Sequence, residues 1–226
     1  MKNDASQKPT SHAVIAIDGP AASGKSTVAR LVALRLGYGF VNSGALYRAM
    51  TLAMIRRDVS IANEQAVAAA LTSAGVASGL TQGSSWVAVD GEVVDTQLET
   101  PEVNAAVSLV ARVAVVRDEV VRQLRAFAAL GPIVMEGRDI GSVVFPATPW
   151  KFYVDASEDV RQQRRAAQGL VDSIRDRDRV DSSRASAPLV IPEGAEVIDS
   201  SELSANAVVD VLLESMRKRG FALPNL

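Results

Sequence analysis

The chain contains no cysteine and a single histidine, and these two scarcities exclude several kinds of chemistry. None of its 226 residues can form a disulfide, a Cys-ligated zinc site or a thiolate nucleophile. The one histidine, His12, lies in the polar segment MKNDASQKPTSH that opens the sequence. A Ser-His-Asp triad or a histidine-bound metal is therefore not expected, so the chemistry must use Arg, Lys, Asp, Glu, Ser and backbone amides.

The sequence also lacks long hydrophobic runs and a strong excess of charge. No apolar stretch approaches the roughly 18 residues that cross a bilayer, and residues 1–12 lack the hydrophobic segment of a signal peptide. The formal net charge of -2 gives no general attraction to nucleic acid. We therefore expect a cytoplasmic protein with no membrane or nucleic-acid partner, in which a disordered tail over 1–12 precedes a single domain over 13–226.

Short apolar runs that alternate with helical stretches predict an α/β fold. The runs typical of buried strands lie at 13–18, 39–42, 133–137, 151–156 and 196–199. We expect a three-layer α/β/α domain around a five-stranded parallel sheet. Turn signals around WVAVDGEVV predict a small antiparallel insert at about 79–98. The predicted helices lie at 24–37, 43–57, 62–74, 101–130 and 204–218.

A glycine-rich loop directly follows the first predicted strand. Its sequence GPAASGKS, residues 19–26, fits the pattern GxxxxGK[S/T]. The glycines let backbone N–H groups turn towards phosphate oxygens, and the next helix adds the positive end of its dipole. Lys25, which we expect to be a partly exposed loop residue, can reach the outer phosphates, and the Ser26 hydroxyl can bind Mg²⁺. We call residues 19–27 the phosphate loop. The pattern therefore predicts that this loop binds the phosphates of a nucleotide.

Charged residues elsewhere predict a second anion site. NSGALYR, residues 42–48, places Ser43 at a helix N-terminus with Arg48 one turn further on, which can hold an anion. Taken alone, this stretch fits a capped helix with a solvent-facing arginine better. IVMEGRD places Arg138 and Asp139 at the carboxyl end of a strand, the edge at which open parallel sheets bind ligands, and the alternative there is an exposed turn with a local Arg–Asp pair. Residues 161–184 are dense in arginine, which suits a lid over phosphates, although a solvated helix face is the alternative for its acidic members.

Four motifs together resemble those of bacterial cytidylate kinases, of the nucleoside monophosphate kinase group. In order and spacing they are IDGPAASGKST, NSGALYR, EGRDIGSVVFP and DSSRASAPL, and the resemblance runs from Val14 to Arg219. It implies a (d)CMP kinase with Mg²⁺-ATP as donor and CMP or dCMP as acceptor, and we expect a monomer. It also implies a monophosphate-binding subdomain at about 43–110 that includes the insert, and an Arg-rich lid at about 161–184, shorter than the resemblance leads us to expect.

The resemblance further implies roles for individual residues. The ATP phosphates are held by Gly19, Pro20, Ala21, Ala22, Ser23, Gly24, Lys25, Ser26 and Thr27, with the lid arginines Arg161, Arg164 and Arg165 nearby. The acceptor phosphate is bound by Ser43, Arg48, Arg138 and Arg184. The cytosine contacts are Ser108, Arg117 and Asp139, and the ribose contacts are Arg177 and Asp181. The implied catalytic residues are Lys25, Arg138 and Arg184, and the implied Mg²⁺ ligand is Ser26.

Two alternatives stay open at this point. One is a kinase with the same loop that acts on another small acceptor, against which the EGRD and DSSR segments and the insert argue. The other is a nucleotide-binding switch that hydrolyses slowly. A guanine-nucleotide switch usually carries an N-K-x-D motif, and no Asn-Lys pair follows the phosphate loop.

Overall fold

The computed structural model describes residues 12–167 and 189–223. Within them the strands are β1 (Val14–Asp18), β2 (Gly39–Asn42), β3 (Val76–Thr81), β4 (Ser84–Val89), β5 (Glu92–Val93), β6 (Ile133–Gly137), β7 (Trp150–Asp155) and β8 (Glu196–Asp199). The α-helices are α1 (Lys25–Leu36), α2 (Ser43–Arg56), α3 (Glu64–Ala70), α4 (Pro101–Val110), α5 (Ala114–Phe127), α6 (Glu158–Ala167) and α7 (Ala205–Lys218). The predicted tail, apart from His12, and the predicted lid beyond Ala167 lie outside the described residues.

Five parallel strands form the centre of the sheet, in the spatial order β2-β6-β1-β7-β8. The predicted five-stranded parallel sheet is thereby confirmed, with each strand end within one residue of its predicted position. Crossover connections between parallel strands leave room for helices on both faces. All five residues of β1 are buried, as expected of a strand that is covered on both sides.

The predicted insert is an antiparallel hairpin of β3 and β4 that extends the same sheet. Gln82 and Gly83, both with positive φ, make the tight turn between its strands. β4 then pairs with β2 through Phe40 and Ser84, and the Phe40 N–H donates to the Gly83 carbonyl at 2.8 Å. The described sheet therefore has eight strands rather than five, and the insert strands span 76–93 instead of the predicted 79–98.

Two hydrophobic cores, one on each face of the sheet, complete the three predicted layers. Ile15 and Ile17 of β1 pack with α1 and α7, whereas Val14 and Ala16 face the core built by α2, α4 and α5. This alternation is the two-residue period of a strand, because successive side chains point to opposite faces. The strand thus binds both layers together and holds the phosphate loop at its carboxyl end.

The helix boundaries follow local capping residues. Asn42 caps α2 by accepting from the Ala45 N–H at 3.2 Å. Ser204 caps α7, which agrees with the predicted start of that helix at about 204. The stretch 101–130, predicted as one helical pattern, is divided into α4 and α5 by a turn at 111–113. The predicted helix at 62–74 is shorter and ends in a 3₁₀ turn at Leu71–Ser73.

Parallel pairing brings three strand ends to one place. Asp18 at the end of β1 lies opposite Gly137 of β6, and Glu136 of β6 lies opposite Asn42 of β2. The loops after these strands carry the phosphate loop, the N-terminus of α2 and the turn at Arg138, so all three open at the same edge of the sheet. Among the described helices, none combines the length and apolarity that a membrane span requires.

Candidate active site

The phosphate loop is a tight connection between β1 and α1 that depends on its glycines. A Cβ on Gly19 would lie 2.1 Å from the Val154 carbonyl oxygen, so only glycine fits where the loop leaves the sheet. Ala22 has φ 58° and Gly24 has φ 88°, left-handed values that are uncommon for residues other than glycine. These turns bring the loop round to the first turn of α1, where the N–H groups that open a helix and the helix dipole favour an anion.

The two polar residues that open α1 are held in defined positions. Lys25 is the first residue of α1 and only 6% exposed, so the expectation of a partly exposed loop residue is wrong. Its Nζ donates to the Pro20 carbonyl at 2.9 Å. The Ser26 hydroxyl donates to Oε1 of the buried Glu136 at 2.9 Å. No role was predicted for Glu136, although an acid at the end of the neighbouring strand was the available signal.

A cleft of about 760 Å³ opens in front of the phosphate loop. The predicted site residues that line it are Ala21, Ala22, Gly24, Lys25, Ser26, Thr27, Ser43, Arg48, Ser108, Arg138, Asp139 and Arg165. Its other lining residues include Arg30, Asn42, Gly44, Tyr47, Glu99 and Glu136. Residues predicted for the donor and for the acceptor thus share one cavity. The predicted contacts Arg177, Asp181 and Arg184 lie outside the described residues.

The predicted acceptor end is assembled around the N-terminus of α2. A Cβ on Gly44 would lie 2.9 Å from Nη1 of Arg48, so the guanidinium folds back over the first turn of its own helix. A Cβ on Gly137 would lie 2.5 Å from the Ser43 hydroxyl oxygen, so glycine there lets α2 approach the end of β6. Arg138 follows directly and lines the same cleft. Guanidinium groups and a helix N-terminus together suit a bound phosphate.

The residues predicted to contact cytosine lie in two layers. Ser108 and Asp139 line the cleft, whereas Arg117 is 3% exposed and lies behind Asp139. Nη2 of Arg117 forms a buried ion pair with Oδ2 of Asp139, and its Nη1 donates to the Ala111 carbonyl at 3.3 Å. The guanidinium also lies 5.5 Å from the ring centre of Tyr47. Arg117 therefore holds the carboxylate of Asp139, a residue that lines the cleft.

The three described arginines of α6 have different surroundings. Arg165 lines the cleft. Arg161 donates from Nη1 to the Ala21 carbonyl at 3.3 Å, and Arg164 donates from Nη1 to the Ser23 carbonyl at 3.2 Å. Neither Arg161 nor Arg164 lines the cleft, so both contact the phosphate loop from outside the cavity.

Asp18 is a residue of this site that the sequence analysis missed. It ends β1, is fully buried, and accepts from the backbone N–H groups of Ile140 at 2.8 Å and Gly141 at 2.7 Å. Burial raises the pKa of the Asp18 carboxyl to about 7, against the lowering effect of these two hydrogen bonds. The carboxyl ties the strand of the phosphate loop to the turn that follows Arg138 and Asp139. The signal was a single acid closing the apolar run AVIAID.

The oxygen atoms at the junction of α1 and β6 fit a magnesium ion. Mg²⁺ in nucleotide sites takes one or two protein oxygens together with phosphate oxygens and water. The Ser26 hydroxyl and the Glu136 carboxylate meet at 2.9 Å on the cleft wall, beside the predicted phosphates. In the described part of the chain, no group of three or more His, Asp or Glu side chains is arranged to hold a metal ion without such additional ligands.

One cleft is lined by the phosphate loop and by a second group of cations at the N-terminus of α2, and the fold around it has three α/β/α layers. These features define a P-loop phosphotransferase of the nucleoside monophosphate kinase type. The family model described as cytidylate kinase matches residues 15–218. The chain belongs to the cytidylate kinase family, which confirms the family predicted from its motifs.

Relatives from three bacteria illustrate the extent of the match. The cytidylate kinase of Pelotomaculum thermopropionicum is 43% identical over 212 residues, which cover 88% of this chain and 93% of the relative. That of Geobacillus sp. is 40% identical over 216 residues, covering 91% and 96%. That of Pseudomonas aeruginosa is 38% identical over 222 residues, covering 92% and 96%. The similarity therefore extends over nearly the whole length of both partners in each comparison.

The raised pKa of Asp18 predicts a specific pH dependence of stability. A carboxyl whose pKa is raised by folding contributes stability that is complete below about pH 4 and is lost as the pH rises through its folded value. Between pH 5 and pH 8, the free energy of unfolding of the wild type should fall by up to about 3 kcal/mol more than that of Asp18→Asn. Urea unfolding at the two pH values measures this difference.

The exposed Asp118→Asn serves as the control for Asp18 and should keep the pH dependence of the wild type. If Asp18→Asn also keeps it, the buried carboxyl is not the group that titrates.

Proposed function

We propose that this chain transfers the γ-phosphoryl group of ATP to CMP or dCMP, giving ADP and CDP or dCDP. The observation that carries the proposal is that the phosphate loop and the N-terminus of α2, with Arg48, line one shared cleft. A donor and an acceptor bound in this way have their phosphates facing each other. Such alignment lowers the entropic cost of a two-substrate reaction.

The donor end is proposed to bind the ATP phosphates through the backbone of residues 19–27 and Lys25. The buried Lys25 ammonium already donates to the Pro20 carbonyl, so its charge is held at the mouth of the loop. Arg165 from α6 lines the same cleft and is proposed to add a second cation there. Charges placed in advance near transferring oxygens stabilise the transition state without reorganisation.

The acceptor end is proposed to bind the CMP phosphate through Ser43, Arg48 and Arg138. Ser108 and Asp139 line the cleft beside them and are proposed to contact the base, with Arg117 fixing the carboxylate from behind. Arg177, Asp181 and Arg184 remain proposed contacts to the ribose and the phosphates. Residues 43–110 would then act as the monophosphate-binding subdomain, with the lid at 161–184.

Magnesium is proposed to accompany ATP, held by the Ser26 hydroxyl with the Glu136 carboxylate beside it. When bound, the ion would neutralise negative charge on the β- and γ-phosphate oxygens. The Ser26–Glu136 hydrogen bond keeps both oxygens together at the cleft wall. Both are hard oxygen ligands of the kind that Mg²⁺ prefers.

The transfer itself requires no covalent intermediate on the protein. An oxygen of the acceptor phosphate forms a bond to the γ-phosphorus while the bond from that phosphorus to the β–γ bridging oxygen breaks, and ADP leaves with that oxygen. The acceptor is already an anion, so little help from a general base is needed. The protein aligns the two nucleotides and offsets their charge with Lys25, Arg48, Arg138 and Arg165.

The alternatives raised by the sequence are not favoured. A kinase of another acceptor and a slow nucleotide switch both lack support from the family match over residues 15–218. We further propose that the enzyme acts in the cytoplasm as a monomer on free nucleotides. Formation of ADP that depends on CMP or dCMP, followed in a coupled assay, tests the proposed function.

Replacement of Arg48 should impair the use of CMP and leave the binding of ATP almost unchanged. Arg48→Ala removes a charge-assisted contact to the acceptor phosphate, which should cost about 1.5–3 kcal/mol, or roughly 10- to 150-fold in kcat/KM for CMP. The dissociation constant of ATP should change little. Steady-state kinetics in CMP and calorimetric titration with ATP give the two numbers.

The matched control for Arg48 is Arg56→Ala, on the same helix but paired with Glu92 at 2.8 Å outside the cleft. This control should retain the wild-type kcat/KM for CMP. A loss in Arg48→Ala that is confined to ATP affinity would place Arg48 at the donor end instead.

Replacement of Asp139 should change the choice of base. Cytosine presents an amino donor at position 4 and an acceptor at ring nitrogen 3, and uracil reverses both. The Asp139 carboxylate suits the amino group, so CMP should exceed UMP by well over about tenfold in kcat/KM. Asp139→Asn, whose amide can donate to the uracil oxygen, should narrow this ratio chiefly by lowering the use of CMP.

Since Asp139→Asn also disturbs a buried ion pair with Arg117, Ser108→Ala on the same wall is the second variant. It too should narrow the ratio of CMP to UMP. An unchanged ratio in both folded, active proteins removes this wall from base recognition.

A further inference from the structure

Two side chains behind the phosphate loop converge on one of its carbonyl groups. The Ser23 carbonyl accepts from Nη1 of Arg164 at 3.2 Å and from the Ser200 hydroxyl at 2.8 Å. Arg164 also donates to the Ser200 hydroxyl at 3.0 Å and, from Nη2, to the Ser200 carbonyl at 2.7 Å. We call Arg164 and Ser200 the loop clamp. Both come from segments remote from the loop in sequence, α6 and the end of β8.

The loop clamp is itself anchored to the sheet. Ser200 is 3% exposed, and its N–H donates to the Asp155 carbonyl at the end of β7 at 2.8 Å. Ser23 is fully buried. A guanidinium bonded to a carbonyl is a charge-assisted contact, and burial shields it from competing water. The Ser23 carbonyl is therefore held towards Arg164 and Ser200, neither of which lines the cleft.

The direction of that carbonyl determines the direction of the next N–H. A trans peptide is planar, and its C=O and N–H point to opposite sides. No cis peptide occurs among the described residues. Because the Ser23 carbonyl is held towards Arg164 and Ser200, the Gly24 N–H must point to the opposite side of the peptide. Gly24 lines the cleft, whereas Ser23, Arg164 and Ser200 do not, so this opposite side is the side of the cleft.

We propose that Arg164 and Ser200 are positioning residues for the donor phosphates: by holding the Ser23 carbonyl behind the loop, they aim the Gly24 N–H at the phosphate of ATP. The inference rests on the proposed donor site in residues 19–27. It gives Arg164 a different task from Arg165, its neighbour in sequence, which lines the cleft. Arg161 supports the same arrangement, because it donates to the Ala21 carbonyl at 3.3 Å and to the Ala156 carbonyl at 3.1 Å.

Ser200→Ala is the decisive variant, because this neutral side chain touches the loop from behind and has no contact with the cleft. Tripolyphosphate serves as a probe of the donor site that carries no base. If the loop clamp fixes the peptide between Ser23 and Gly24, Ser200→Ala and Arg164→Met should each weaken the binding of tripolyphosphate about 5- to 30-fold. The affinity for ATP should fall in parallel, and the affinity for CMP should stay within about twofold of the wild type. Calorimetric titration of each purified variant gives these constants.

The double variant separates a shared task from two independent ones. Both residues act on one carbonyl, so the combined loss should be clearly smaller than the product of the single losses. Arg164→Lys, which can still donate to the Ser23 carbonyl, should recover part of the affinity. Gln163→Ala, an exposed neighbour on α6, is the matched control and should bind tripolyphosphate like the wild type.

The backbone amide of Gly24 gives a readout that a general loss of stability would not move. On addition of tripolyphosphate, its ¹H resonance should shift downfield in the wild type, as expected for a new hydrogen bond to an anion, and shift less in Ser200→Ala. Thermal unfolding of the same samples shows that the comparison is made on folded protein.

The outcomes distinguish the inference from the proposed donor site. If Lys25→Ala weakens the binding of tripolyphosphate but Ser200→Ala does not, the loop clamp has no positioning role and the inference is overturned. An equal loss of affinity for CMP and for tripolyphosphate in Ser200→Ala also overturns it. If Lys25→Ala leaves tripolyphosphate binding unchanged, the donor site itself is misplaced, and the inference fails with it.

Discussion

The parallel pairing of β1 with β6 is the constraint on which the site depends. Its register places Asp18 opposite Gly137, and the buried Asp18 carboxyl then accepts from the N–H groups of Ile140 and Gly141. The strand that carries the phosphate loop is thereby joined to the turn that follows Arg138. Because β2 pairs with the other side of β6, the N-terminus of α2 comes to the same edge. The proposed donor and acceptor sites are thereby fixed at one edge of the sheet.

Charge is distributed very unevenly over this frame. The chain as a whole carries a formal net charge of -2. Its cleft is instead lined by more cations than acids: the cations are Lys25, Arg30, Arg48, Arg138 and Arg165, and the acids are Glu99, Glu136 and Asp139. Each of two acids has a proposed task, Glu136 beside the Ser26 hydroxyl and Asp139 towards the base. Two nucleotides bring several phosphate charges together, and a local excess of cations offsets their repulsion where the field matters.

The sequence predicted what local chemistry determines and missed what the tertiary fold decides. The phosphate loop, the start of α2 and the five parallel strands are each specified by a few consecutive residues, and they were placed correctly. Nothing local indicated that the insert hairpin would join the main sheet at Phe40, or that Lys25 would be buried. Arg164 was expected beside ATP as one of several similar arginines. Its position behind the loop depends on Ser200, which arrives from the end of β8 and has no motif of its own.

A compound that joins adenosine to cytidine through five phosphates tests the central claim that one cleft holds both nucleotides end to end. A linker of suitable length makes the second binding event intramolecular, so this compound should bind at least about tenfold more tightly than either ATP or CMP. Its affinity should fall in both Lys25→Ala and Arg48→Ala, because one variant impairs the donor end and the other the acceptor end. Titration calorimetry measures all three proteins. Binding no tighter than that of ATP, or a loss in only one of the two variants, would contradict the account.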